Sequence, residues 1–333
     1  MPQTTPARPR LPSAGKVAIA LGGVAMIALV AWVGARPVAE AMLRAGWTLP
    51  PLLLLHAVQT VLSGLAWRAV TGGNRPGAWT WVRIRWIRES ANSLLPVAQI
   101  GGLLVGIRLL GQRGLALATG GAGTTLDLTV ETLTQFLFTL LGIAALAMLG
   151  ADPAWWPWLG GAMALMGLCV AGLILAQRAG MLTLVERFAA RLSTLIPSLP
   201  AADMRGMHAE LMRLQTHRGA LLHAAALHML AWLVGVGETW LALAAIGRPI
   251  GFAEALVIDS LGMAARSAGF MVPGALGVQE GGFLLVCGLF GVPAEAAVAL
   301  SMLKRAREIL SGLPGLLAWQ WSEGTRLAAR GSH

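Results

Sequence analysis

Asp127, Glu131 and Gln135 recur at intervals of four within an apolar stretch, so a helix sets two carboxylates and an amide on one face, with Thr124 nearby. Lys304, Arg307, Glu308 and Ser311, with Arg305 adjacent, form a comparable stripe near the C-terminus. Arg108 precedes the first stripe, and Asp259, Arg266 and Glu280 lie between the two, each near a Pro/Gly break. A charge at the centre of a bilayer costs roughly 2.5–3.5 kcal/mol even on lenient insertion scales, so ionisable groups in such surroundings are expected to be paired or functional. Opposite charges on facing helices would neutralise one another. Salt bridges that only staple a bundle are an equally good account of any single pair.

A second pattern surrounds these residues. Pro96-Val-Ala-Gln99-Ile-Gly101-Gly102 is echoed by Pro273-Gly274-Ala-Leu-Gly277-Val-Gln279-Glu280-Gly281-Gly282, and in each copy another Gly follows nine residues after the second of the pair, at Gly111 and Gly291. The offset that aligns the Gly pairs also aligns Asp127 with Arg307. Duplicated breaks in two halves of an apolar chain point to a solute site at mid-membrane, because irregular backbone survives there only where it lines a cavity. Gln99, Gln279 and Glu280 sit at the breaks, where helix ends and backbone amides can hold an anion such as a phosphate. Ordinary Gly-rich helices are the plainer account of both stretches.

The elements that must position these residues follow from composition. With 56% hydrophobic residues, 12% charged and a mean hydropathy of +0.69 over 333 residues, the chain excludes an ordinary soluble domain. Runs on the scale of the roughly 20 residues that span a bilayer lie near Val17–Ala35, Thr48–Val70, Leu115–Leu149, Trp155–Ala176, Ala220–Ile246, Phe252–Phe270, Ala275–Val292 and Ala294–Trp321. The first lacks a small-residue cleavage site and reads as a retained helix. The expected fold is an all-α polytopic helical bundle with two Pro/Gly-broken re-entrant segments in a pseudo-symmetric repeat, inverted or parallel. Residues 1–15 read as a disordered tail and 16–322 as one transmembrane domain. Its halves cover about 48–176 and 220–321, joined by a cytoplasmic connector at 177–218, and 323–333 form a tail ending in what reads as tag residues.

Lys and Arg cluster before the first span, after the second, between 178 and 218 and at the C-terminus, while Asp152-Pro-Ala-Trp-Trp-Pro-Trp carries neither. The positive-inside rule then places both termini in the cytoplasm, which requires an even number of crossings and makes at least one broken segment re-entrant. The net charge of +10 beside membrane spans favours anionic lipid over nucleic acid as partner. Trp79, Trp81 and Trp86 alternate with Arg83, Arg85 and Arg88, so 78–90 is expected to lie as an amphipathic helix at the interface. Stretch 186–214 is expected to cover the floor of the bundle. Cys169 and Cys287 read as core residues, and His223 and His228, five apart, as bundle or helix-end hydrogen-bonding groups rather than a metal pair.

No HExxH, GxSxG, Cys/His cluster or P-loop is present, so no catalytic residue, cofactor or metal is assigned. Asp127-x3-Glu131 resembles only faintly the acidic motif by which membrane prenyltransferases bind Mg2+, and no second Asp-rich motif accompanies it.

The stretch from Arg83 to Gly102, including Arg85, Arg88, Asn92, Pro96 and Gln99, together with Pro273–Gly282 and Leu303–Gly315, resembles the flippase-like transmembrane domain of lysylphosphatidylglycerol synthases over roughly Leu53 to Trp321. Within that superfamily it looks closest to the HpnL proteins associated with hopanoid biosynthesis. The resemblance implies a bacterial inner-membrane protein that moves a polar-headed lipid, phospholipid or hopanoid, between leaflets, with paired re-entrant hairpins meeting at a cavity and without the synthase's soluble catalytic domain. Leu103 stands where many relatives carry an acid, so a role for that carboxylate does not transfer. On this reading Arg85, Arg88 and Arg108, beside Asn92 and Gln99, attract a headgroup. Gln279, Glu280 and the flanking Gly amides hold it, and Asp127, Glu131, Arg266, Arg305, Arg307 and Glu308 line its path. Pro96, Gly101, Gly102, Pro273, Gly274, Gly277, Gly281 and Gly282 provide the breaks. A non-transporting accessory protein, a lipid-tailoring enzyme and a scaffold for lipid-biosynthesis enzymes are the readings from other classes.

Overall fold

The computed structural model describes residues 31, 35–72, 76–95, 100–150, 152–184, 186–187, 205–269, 272 and 275–331. The expected first span, and Pro96, Gln99, Pro273 and Gly274 in the breaks, lie outside the described residues. Among those described, the chain is all α-helical: α1 (Ala35–Ala45), α2 (Leu49–Thr71), α3 (Ala78–Leu94), α4 (Ile100–Gly111), α5 (Leu117–Met148), α6 (Trp156–Arg178), α7 (Met207–Gln215), α8 (Arg218–Ile246), α9 (Phe252–Ala268), α10 (Val278–Gly288) and α11 (Ala294–Gly331).

Among the described residues, four segments are long and apolar enough to cross a membrane: Val38–Thr71, Leu117–Met148, Trp156–Arg178 and Arg218–Ile246. Local chemistry sets their ends. Pro50 and Pro51 start α2, where missing N–H groups cost nothing, and left-handed glycines stop α2 at Gly72 (φ 74°) and α8 at Gly247 (φ 88°). The helices that follow the two breaks are short. At 12 and 11 residues, α4 and α10 rise only about 18 and 17 Å, a little over half of a hydrocarbon core roughly 30 Å thick. The expected span over Ala275–Val292 is thus one such short helix, not a crossing.

A two-fold internal repeat relates α2–α5 to α8–α11. Within each half the second element packs on the first and third, and the third on the fourth: α3 on α2 and α4, α9 on α8 and α10, α4 on α5, α10 on α11. Between halves the contacts are exchanged, α3 against α11 and α9 against α5, with α2 and α8 packed together at the centre. Even the small-residue crossings correspond. A Cβ on Gly315 of α11 would lie 2.9 Å from the Cβ of Ser90 on α3, and one on Gly142 of α5 would lie 2.9 Å from the Cβ of Ser260 on α9. The Trp86 indole donates to the Ser311 carbonyl (2.8 Å) across the first crossing, and Gln135 Nε2 donates to Ser267 Oγ (2.5 Å) across the second.

Two expectations are corrected. Segment 78–90 is no surface helix: Trp81, Val82, Ile84, Arg85, Ile87 and Arg88 are buried between α2, α4 and α11, because its arginines find acids inside and Trp81 stacks edge-on against Trp67 (5.1 Å). Cys169 is exposed on α6, while Cys287 is buried as expected. α7 buries Met207, Leu211 and Leu214 and packs on the start of α5, so it covers one end of the bundle.

Gly142→Ala and Gly315→Ala should each lower stability by about 1–3 kcal/mol, the usual cost of overpacking, whereas Gly281→Ala, with nothing within 4 Å of the added carbon, should be tolerated. Thermal unfolding of the purified variants in one detergent distinguishes the three; a Gly142→Ala protein as stable as the parent would contradict the crossing geometry.

Candidate functional site: a buried charge network

The face of α5 predicted from the spacing exists, and α3 supplies its counter-charges. Arg85 donates from Nε to Glu89 Oε1 (2.6 Å), from Nη2 to Glu131 Oε1 (2.5 Å) and from Nη1 to Glu131 Oε2 (3.1 Å) and Asp127 Oδ2 (3.3 Å). Arg88, one turn on, donates to Asp127 Oδ2 (2.9 Å) and lies 5.2 Å from the centre of the Trp67 ring, whose face favours a cation. From α8, His228 Nε2 stands 3.1 Å from Asp127 Oδ1; from α2, Thr60 donates to Glu89 Oε2 (3.1 Å). His228 is thus the bundle hydrogen-bonding group its position suggests.

The second set joins α8, α9, α10 and α11. Lys304 Nζ donates to Asp259 Oδ1 (2.8 Å), which also accepts from Thr239 (2.6 Å), and sits 3.9 Å from Glu238. Arg307 is bonded to Glu238 and lies 3.6 Å from Glu308, which Arg266 meets at 2.7 Å. Arg266 also bonds Gln279, whose Nε2 donates to Ser301 Oγ (3.0 Å). Arg305 Nε donates to Glu280 Oε1 (2.5 Å). The two sets meet at α2 and α8: Gln59, next to Thr60, and Asp259 both face Gly235, each 2.9 Å from where a Cβ would stand.

The residues at the breaks also hold backbone. Asn92 Oδ1 accepts the Gly102 N–H (3.0 Å), and Glu280 Oε2 accepts the Gly277 N–H (2.7 Å), a carboxylate capping the start of α10. The amides expected to hold an anion at α10 therefore face a protein carboxylate already, and Gln279 and Glu280 are buried. Ala275, a residue with a side chain in the left-handed region (φ 48°), marks the strain of the second break, and its carbonyl accepts from Arg305 Nη2 (3.4 Å). Gly102 and Gly282 sit where the breaks press on their neighbours: an added Cβ would come within 2.7 Å of Asn92 Cγ in one case and 2.6 Å of Ala265 Cβ in the other.

Of the predicted site residues, Arg85, Arg88, Asp127 and Glu131 fall in the first set and Arg266, Gln279, Glu280, Arg305, Arg307 and Glu308 in the second; Arg108 is exposed on α4, outside both. The aligned pair Asp127 and Arg307 are not partners, since α3 and α8 supply nearer counter-charges to each. Sequence reading missed Glu238, the lone acid within the apolar run of α8, and the parts played by Glu89, Thr60 and Thr239. An isolated carboxylate in a 29-residue membrane helix was the available signal for Glu238.

Asp127, Glu131 and His228 each bring a ligand-type atom within 4.8 Å of the others. Arg85 and Arg88 already occupy the carboxylate oxygens on that side, so the donor set suits guanidinium more closely than a metal ion. The network is not sealed. Glu89 and Glu131 keep 25% and 20% of their side-chain surface accessible, and Arg266 17%, while Asp127 and Glu280 keep none.

A family model described as the lysylphosphatidylglycerol synthase TM region matches residues 15–315. The chain belongs to that family. It is a multi-pass membrane protein related to membrane lipids. No curated protein and no solved structure matches it.

Asp127→Ala leaves Arg85, Arg88 and His228 facing a buried gap and should cost about 3–5 kcal/mol, as breaking a buried pair does. Arg36→Ala, which removes an exposed α1 pair with Glu40, should change little. Recovery of monodisperse protein and its midpoint of thermal unfolding report both; equal effects would show that the α3–α5 pairs carry no structural weight.

Proposed function

We propose that the protein moves a polar-headed lipid, phospholipid or hopanoid-type, between the leaflets of a bacterial inner membrane, with both termini cytoplasmic and without an ATPase of its own. The observation that carries this reading is a charge network inside a membrane bundle whose outer members, Glu89, Glu131 and Arg266, remain partly accessible. A headgroup with a phosphate and an ammonium can replace protein ion pairs one at a time, exchanging Arg85 or Arg266 for its phosphate partner and Glu131 for its cationic partner. Its tails meanwhile stay in lipid. Polar exchange of this kind lowers the cost of taking a charged group through hydrocarbon.

The short helices α4 and α10 support a re-entrant arrangement, since each is preceded by a break and neither is long enough to cross. On this reading Asn92 and Glu280 hold the starts of α4 and α10, and release of either contact would open a backbone amide to a headgroup. A kinship with the HpnL proteins, which the sequence resemblance suggests, would make a hopanoid a candidate cargo alongside phospholipids. An accessory or lipid-tailoring role, in company with lipid-biosynthesis enzymes, is the alternative.

The test is leaflet exchange of fluorescent phospholipids and of a labelled hopanoid in proteoliposomes, with the reporter in the outer leaflet quenched chemically. Parent protein should exchange at least one class faster than empty vesicles. Glu131→Gln, which keeps the shape of the side chain and removes its charge, should slow exchange by about tenfold, the factor equivalent to 1.4 kcal/mol, with unchanged elution on gel filtration. Exchange at the parent rate by that variant would remove the network from the path, and no exchange of any lipid would favour the accessory or enzymatic reading.

A further inference from the structure

Outside the charge network, the start of α3 and the end of α4 enclose a groove of about 230 Å³ that carries two arginines of a different kind from those within. Arg85 and Arg88 point inward and are ion-paired; Arg83 and Arg113 are exposed, line the groove and have no ion-pair partner among the described residues, and no carboxylate lines it with them. The first turn of α3 adds to the field. It follows Gly77, receives no side-chain cap and contains no acid, unlike α9 and α10, whose first turns hold Glu254 and Glu280. Thr80 brings a hydroxyl to the same place, so two guanidinium groups, a helix start and a hydroxyl converge on one concavity. Two further features set its depth in a membrane. Trp79 stands 75% exposed at its rim, as an indole at the headgroup level does, and Ile84 and Leu109 make its floor apolar.

We infer that this groove binds the phosphate of an anionic phospholipid at the membrane surface, with the glycerol and first acyl carbons over Ile84 and Leu109. Arginine forks match phosphate oxygens two at a time, and the apolar floor distinguishes a lipid from a free anion. The site is separate from the proposed path, so it holds whether or not the chain moves lipid. A lipid held there would brace α3 against α4 on either side of the first break.

Native mass spectrometry of the detergent-solubilised full chain, titrated with phosphatidylserine or phosphatidylcholine, tests it. The parent should retain the anionic lipid preferentially. Arg83→Gln/Arg113→Gln should weaken that binding by about thirtyfold, the factor equivalent to about 1 kcal/mol for each cation near an anionic surface, while Arg83→Lys/Arg113→Lys, which keeps the charge, should hold it to within a few-fold. Equal retention of the two lipids by the parent, or unchanged phosphatidylserine binding in the glutamine variant, overturns the assignment. Complete displacement of the lipid by millimolar inorganic phosphate would assign the groove to a free anion instead. Because both arginines are exposed, the glutamine variant should fold as the parent does. Should it not, the comparison of the two lipids on the parent carries the test, and equal retention overturns the assignment.

Discussion

A charge placed in hydrocarbon must be matched, and the bundle is organised around that requirement. Seven carboxylates, Glu89, Asp127, Glu131, Glu238, Asp259, Glu280 and Glu308, are joined by ion pairs to six cations, Arg85, Arg88, Arg266, Lys304, Arg305 and Arg307. These come from α3 and α5 in the first half and from α8, α9, α10 and α11 in the second, so each half pairs its own charges, and His228 of α8 reaches Asp127 of α5 across the two. Dispersion between apolar helices gives little direction in lipid, where tails are as apolar as leucine, whereas a guanidinium forked onto two carboxylates fixes both distance and orientation. Asp127 has a further partner in His228, whose Nε2 stands 3.1 Å from Oδ1.

The internal repeat explains how such a network is assembled. Within the first half the cations of α3 meet the acids of α5, and within the second Asp259 of α9 meets Lys304 of α11 while Arg266 of α9 meets Glu308 of α11, so corresponding helices carry the pairs in both copies. Close approach at Ser90–Gly315 and Ser260–Gly142 brings the exchanged helices near enough for short side chains to bond across them. Ion pairs thus hold each half together, while the small-residue crossings bring the two halves against one another.

Membrane class, helical fold and the Asp127–Glu131–Gln135 face were legible because each rests on local period and composition. The duplicated breaks were legible too, as paired Gly and Pro at a fixed offset. Which charges pair was not. Alignment of the halves matched Asp127 with Arg307, but a repeat offset marks equivalent positions, not partners, and each finds its counter-charge within its own half. Segment 78–90 misled because alternating Trp and Arg fits an interfacial helix as well as a buried one whose arginines find acids 39 to 46 residues away, and only the tertiary partners decide between them. Glu238 escaped because attention to repeated motifs passes over a single residue, although a lone acid in an apolar helix is the stronger physical anomaly.

The same network that fixes the fold also limits how it can move. A fully satisfied set of buried ion pairs would resist any polar guest, since each exchange must first separate a pair in surroundings of low dielectric. Satisfaction here is uneven. Glu238 Oε1 and Arg307 Nε are buried with no hydrogen-bond partner, and both belong to the pair that joins α8 to α11 across the second set. An unmet acceptor beside an unmet donor makes this the point where a hydrogen-bonding guest gains most and the protein loses least. It lies beside Lys304, Asp259 and Glu308, one step from Arg266 and the second break. The accessible edge of the network holds groups already paired and the unmet pair lies deeper in, so the gradient of unsatisfied hydrogen bonding runs inward, which is the direction the proposed headgroup path requires.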